Sequence, residues 1–238
     1  MKEQIDLITT PTTASRGLPL LDERMRGTTF HEVPVKAILN SPATTGMGFW
    51  SINPYIGCEF GCTYCYARET HKWAVERAGG MPSGAADARG SSLPPDTYNL
   101  KPPLSPALAF ERQILVKTTA ASVLQRTLFP AKLAGSSLVI GTATDPYQPA
   151  ERKFELTRSI LDALRGWRGL SIGIITKSPL ITRDIDLLQQ LAERHELSVK
   201  ISIATVDPVI ARRLEPRAPK PHTRVPAVKA LGDAGIPA

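Results

Sequence analysis

Cys58, Cys62 and Cys65 are the chain's three cysteines, and all stand in the run Cys58-Glu59-Phe60-Gly61-Cys62-Thr63-Tyr64-Cys65. Three thiols cannot all pair as disulfides, and Met1–Thr13 lacks the apolar core with basic flanks of a secretory signal. Thiolates closing on one point, with none left over, indicate a metal or cluster site. A cubic iron–sulfur cluster takes one cysteine per iron, so three would leave one iron open to a small molecule. Structural zinc wants four closed ligands. His71, six residues after Cys65, is the nearby histidine, so a zinc-binding nucleic-acid module with His71 as fourth ligand is the alternative. Gly57 and Gly61 each precede a cysteine and let the backbone fold closely around a bulky ligand. Tyr64, just before Cys65, offers an aromatic wall.

Such a loop needs elements to position it. Gly48-Phe49-Trp50-Ser51-Ile52-Asn53, stopped by Pro54, reads as the strand that delivers it. A helix is expected over 66–78, with Ala67, Thr70, Trp73, Ala74 and Arg77 spaced three and four apart. Further strands are expected at Ile114–Lys117, Ser137–Thr142, Leu170–Thr176 and Leu197–Thr205. Helices are expected at Thr119–Phe129 (Thr118 as cap), from near Pro149 with Phe154, Ile160, Leu161 and Leu164 as its stripe, and at Arg183–Arg194. Two more follow, one capped by Asp207 with Val209, Ile210 and Leu214, and one at Thr223–Ala234. Strands alternating with helices imply an α/β fold with a parallel sheet, and near-continuous apolar runs imply strands buried on both faces. Residues 1–30 are expected to be a disordered tail, 31–40 a short strand or extended arm, 41–47 a loop, and 79–106 a flexible insertion within one core spanning 31–238.

The chain has 238 residues, 42% hydrophobic and 21% charged, the composition of an ordinary globular domain. No apolar run approaches the ~18 residues of a membrane span. Free cysteines without a leader suit a reducing cytoplasm. The net charge of +7 is compatible with a nucleic-acid partner. Apart from Arg212-Arg213 and Arg217–His222 the basic residues are scattered, which a solvated basic surface explains equally well.

The C-x-x-x-C-x-aromatic-C spacing after a strand resembles the signature of the radical S-adenosylmethionine (radical SAM) enzymes. The wider run, from Arg26-Gly27-Thr28-Thr29-Phe30-His31-Glu32 through Asn53-Pro54-Tyr55 to Cys65-Tyr66-Ala67-Arg68, looks like the spore photoproduct lyase-like branch. That resemblance implies a [4Fe–4S] cluster on Cys58, Cys62 and Cys65 and S-adenosylmethionine on the open iron. It also implies a reductant such as flavodoxin or ferredoxin, and cleavage to a 5′-deoxyadenosyl radical that takes hydrogen from a substrate. It implies a partial (β/α)₆ barrel with its site at the C-terminal ends of the strands. Four barrel strands are legible, and Ile236-Pro237-Ala238 falls where a fifth should begin. The expectation is therefore a barrel truncated after about four strands, with an inactive cluster-binding relative as a further reading.

The resemblance also nominates residues. Thr142, Thr144 and Asp145 stand where the family carries groups for the methionine ammonium, here as Gly-Thr-Ala-Thr-Asp rather than Gly-Gly-Glu; Asp145 could instead cap the next helix or turn. Lys177, in Thr176-Lys177-Ser178, matches a lysine that contacts the methionine carboxylate; a surface lysine is the plainer reading. Ser202 interrupts an apolar strand and would need a partner, either cofactor or backbone. Tyr64 and Tyr66 match tyrosines that assist radical transfer, though Tyr64 also fits an adenine-packing position and Tyr66 simple packing. Spore photoproduct lyase uses a further cysteine to return hydrogen. This chain has none, and Thr142 or a neighbour stands near that place, so the substrate stays open.

Overall fold

The computed structural model describes residues 20–23, 27–69 and 106–238. His71, most of the helix expected over 66–78, residues 1–19 and 24–26, and all of the insertion expected over 79–106 except Pro106 lie outside the described residues. The part of the expected N-terminal tail that is described is not a tail. β1 (Leu20–Glu23) pairs antiparallel with β2 (Thr29–Glu32). β3 (Leu39–Asn40), one-turn helix α1 (Pro42–Thr45), β4 (Trp50–Ile52) and β5 (Tyr55–Ile56) follow. The loop expected at 41–47 thus holds a helical turn, because Ser41 caps it by accepting from Thr44 N. After the undescribed stretch come α2 (Pro106–Arg112), β6 (Gln113–Val116), α3 (Ala120–Thr127) and β7 (Ser137–Ile140). Thr118 was expected to cap α3, but Thr119 holds that position and makes no side-chain cap bond. Then come α4 (Glu151–Phe154), α5 (Leu156–Leu164), β8 (Ser171–Thr176), α6 (Ile185–Ala192), β9 (Glu196–Ile201), α7 (Pro208–Leu214) and α8 (Pro221–Asp233).

Two sheets form where the sequence pattern implied one. The larger has order β3-β4-β7-β8-β9. Its last four strands are parallel, and β3 adds an antiparallel edge. The smaller has order β1-β2-β6-β5, so β6 stands apart from the main sheet. The strands are not buried on both faces as their apolar runs suggested. In β8 burial alternates: Ile172 and Ile174 are buried in the core that packs against the helices, while Ile175 is partly exposed and lines an open cavity. One face packs against α3, α5, α6 and α8 through residues such as Leu124, Leu161, Leu188 and Leu231. Residues after α8 return to the outer edge of β9, where Val199 N donates to Pro237 O at 2.8 Å.

The helix expected from Pro149 is broken at Glu155, a non-glycine residue with φ 48°. Glu151 makes the break tolerable. Its buried carboxylate accepts from Thr157 N at 3.0 Å and Arg158 N at 3.2 Å, closing the N-terminus of α5 from the preceding helix. It also accepts from Tyr55 Oη at 2.5 Å and pairs with Arg183 at 3.0 Å, tying β5 to the turn before α6. Removing it would leave a buried phenol and two amides without their acceptor and take one of the partners of Arg183, which keeps Asp184. Glu151→Ala is expected to lower unfolding free energy by roughly 3–5 kcal/mol in denaturant titration. A loss under 1 kcal/mol would show that this carboxylate does not hold the fold.

Candidate functional site

Asn53 follows β4, Gly141–Asp145 follows β7, Lys177 follows β8 and Ser202 follows β9, so the polar residues singled out in the sequence share one end of the parallel sheet. Ser202 lies one residue beyond its strand and is half-buried rather than buried. Its N–H donates to Thr176 O and its carbonyl accepts from Arg224, both at 2.8 Å.

The cysteine loop crosses this end and is held from three directions. From α2, Phe110 O accepts from Cys58 N at 2.8 Å. From the β7–α4 turn, the Gly57 carbonyl accepts from Thr144 Oγ1 at 2.6 Å and from Gln148 Nε2 at 3.2 Å. Gln148 Oε1 accepts from Glu59 N at 2.9 Å, and Glu59 Oε2 accepts from Ala150 N at 2.7 Å. From the α7–α8 connection, Leu214 O accepts from Thr63 N at 2.9 Å and Arg217 Nε donates to Glu59 O at 2.6 Å. Gly57 has φ 89°, and a Cβ there would stand 2.7 Å from Phe110 O. Gly61 has φ 64°, with the Arg217 guanidinium against it. Both glycines allow a close approach, but to protein groups, Phe110 O and Arg217, rather than to the bulky ligand their positions suggested.

Cys58, Cys62 and Cys65 line one cavity of about 270 Å³ together with Tyr64, Tyr66, Thr142, Thr144, Asp145, Lys177 and Ser202. All three thiols are free. Among the described residues no three His, Cys, Asp or Glu side chains converge tightly enough for a single metal ion. Tetrahedral zinc at ~2.3 Å per sulfur would draw its thiolates within about 4 Å of one another. A cluster spreads its ligands over separate irons; His71, the fourth ligand of the zinc reading, lies outside the described residues. Burial pushes the Cys58 thiol well up and Cys62 up to about 11, with the Lys177 charge pulling Cys62 back. Ligation as thiolates therefore releases protons.

The nominated residues divide into two groups. Thr144 and Asp145 are committed to protein. The Thr144 hydroxyl donates to Gly57 O and accepts from Gln148 Nε2 at 2.9 Å. Asp145 accepts from Thr176 Oγ1 and Lys177 N at 2.7 Å and from Tyr147 N at 2.9 Å, so it ties β7 to β8 and closes its own proline turn. Burial raises its pKa and these donors oppose the rise. Thr142 Oγ1 lies 3.1 Å from Asn53 Nδ2, and Asn53 Oδ1 accepts from Ala143 N at 2.8 Å. The others face the cavity. The Lys177 ammonium lies 5.7 Å from the Tyr64 ring centroid and 4.0 Å from Glu215 Oε1. The Tyr64 phenol donates to Glu215, and burial, followed by the hydrogen bond and charge of that carboxylate, raises its pKa. Tyr66, expected to pack, is 57% exposed, and its phenol donates to Thr142 O.

Several working residues carried no local signal. Glu215 is buried, lies far along the chain from Tyr64, and pairs with buried Arg224 at 2.5 Å. Gln148 and Glu59 look like ordinary surface residues in sequence. Lys117 donates to Asn53 O at 2.7 Å, and burial pushes its amine down to about 8.

A family model described as the radical SAM superfamily matches residues 52–238. An uncharacterized protein of Mycobacterium tuberculosis is 32% identical over 212 residues, covering 88% of this chain and 54% of its own length. An uncharacterized protein of Methanocaldococcus jannaschii is 28% identical over 185 residues (78% of this chain, 56% of the relative). One from Acidianus two-tailed virus is 30% identical over 190 residues (79% and 52%). The chain thus spans about half the length of the curated relatives it matches. No solved structure matches it.

Two predictions follow from the loop and its support. Gly57→Ala is expected to cut iron and sulfide content at least several-fold after anaerobic reconstitution. Gly46→Ala, which has a similar φ of 68° but open space around its Cβ, should leave that content intact. Equal loss in both would point to general strain rather than a shaped loop. For Lys117 the folded state disfavours the proton, so its cost to stability is full below about pH 8 and fades as pH rises toward 10.5. Denaturant midpoints should rise more across that window in the wild type than in Lys117→Met.

Proposed function

The chain belongs to the radical SAM superfamily, and we propose that it binds a [4Fe–4S] cluster through Cys58, Cys62 and Cys65 and cleaves S-adenosylmethionine reductively. Proteins of this superfamily use that cluster and that cosubstrate. The observation that carries the reading is the single cavity, at the C-terminal end of the sheet, onto which all three thiols open. When bound, the cluster and S-adenosylmethionine supply an electron and a 5′-deoxyadenosyl radical that takes hydrogen from a substrate.

The chain's own residues do the holding. Lys177 is the residue for the methionine carboxylate. Its neighbour Glu215 is already paired with Arg224, so the ammonium keeps charge for a ligand. Thr142 and Ser202 add polar groups at the strand ends. Thr144 and Asp145 act one step back, the first fixing the loop and the second aligning the Thr176–Lys177 strand end. Tyr64 and Tyr66 wall the cavity with phenols already committed to Glu215 and Thr142 O. Within the superfamily the motifs around Cys65 and Lys177 favour the spore photoproduct lyase-like branch. No helix of the described residues is long and apolar enough to cross a membrane. Free thiols suit a reducing compartment such as the cytoplasm, with a flavodoxin- or ferredoxin-type reductant.

The test is anaerobic reconstitution, then dithionite and S-adenosylmethionine, with 5′-deoxyadenosine as product. Product is expected from the wild type and none from Cys62→Ala. Lys177→Met should weaken S-adenosylmethionine binding on the order of tenfold while retaining iron. Zinc without sulfide in the purified chain, or no iron–sulfur absorbance after reconstitution, would overturn the reading.

A further inference from the structure

A second cavity, of about 510 Å³, opens between α7 and α8. Buried Ala211 and Ala218 form its inner wall, while Arg212, Arg213, Lys220 and His222 are exposed around it. Glu215, the carboxylate among its lining residues, is buried and held by Arg224 at 2.5 Å, so it does not cancel the exposed cations. The N-terminus of α8 contributes Lys220, Pro221 and His222 to the lining. That helix has no side-chain cap and no acidic residue in its first turn, where helices commonly place both. The Arg213 guanidinium and the Lys220 ammonium together favour a phosphate. The apolar wall, which Pro208 and Val209 extend, favours a flat body attached to it. An inorganic anion would leave that wall wet.

We propose that this cavity binds a nucleotide unit, its phosphate between Arg213 and Lys220 and its base against the Val209–Ala218 wall. The site goes beyond the radical chemistry and stands on this cavity alone. It is nevertheless joined to the cysteine loop, since Leu214 O holds Thr63 N and Arg217 Nε holds Glu59 O. A nucleotide here would lie beside the cofactor cavity. The unit could be free or part of a strand; the chemistry recognised is the same.

Binding is measured on the full chain, both as purified and after reconstitution, with AMP, a short single-stranded oligonucleotide and adenosine. AMP or the oligonucleotide is expected to bind at least tenfold more tightly than adenosine and to weaken as salt rises. Binding of AMP identifies a free nucleotide, and binding of the oligonucleotide alone identifies a strand. The double variant Arg213→Gln/Lys220→Gln, at two exposed positions, should lose on the order of tenfold or more of that affinity with an unchanged unfolding midpoint. Phosphate-bearing probes no tighter than adenosine, or a double variant that binds as tightly as the wild type, would overturn the proposal. Because the as-purified chain reads this site directly, failure to form a cluster leaves the result interpretable.

Discussion

A buried loop without helix or strand cannot satisfy all of its own backbone. Residues 57–65 form neither helix nor strand, yet Cys58, Glu59 and Phe60 are buried. Their amides and carbonyls need partners, because an orphaned buried polar group costs about 1–3 kcal/mol. The partners come from elsewhere: Phe110 O, Gln148, Thr144, Leu214 O and Arg217. That requirement fixes where α2, the β7–α4 turn and the α7–α8 connection must stand. It also explains why the polar residues after β7 serve the loop before they can serve any ligand.

The second organising feature is a set of buried carboxylates, each matched to a guanidinium. Glu151 takes Arg183, Asp184 takes Arg158 and Arg183, and Glu215 takes Arg224. Such pairs add little net stability over apolar packing, but they are costly to break singly. Their value here is positional. The first two hold the broken α4–α5 junction against the turn before α6. Glu215 also receives the Tyr64 phenol and faces Lys177, so one carboxylate sets two walls of the cavity.

The four parallel strands were legible because each is an apolar, β-branched run between turn residues, and Ser137–Ile140 and Ser171–Thr176 fall inside the expected spans. The cysteine cavity was legible for a chemical reason: three thiols in one short run admit few uses. The second sheet was not legible. β5 is two residues long, and β6 reads like any barrel strand until its partners are known. The full burial inferred for the strands failed because an apolar run does not say how many faces are covered. Val209 and Ile210 fit a helical stripe by spacing yet are 61% and 47% exposed. Long-range partners such as Glu215 and Gln148 leave no local trace, since their pairing depends on topology rather than spacing.

The same topology explains why strand-end residues found by pattern divide in role. At the end of a parallel strand the chain must turn away from the sheet, and its amides lose their ladder partners. A short polar side chain is drawn to those amides: Asp145 takes Lys177 N and Tyr147 N, and Asn53 takes Ala143 N. The longer Lys177 side chain instead projects into the open space over Tyr64. Side-chain length therefore separates Asp145 and Asn53 from Lys177 at this end of the sheet. The two short side chains shape the strand ends, and the long cation faces the cavity.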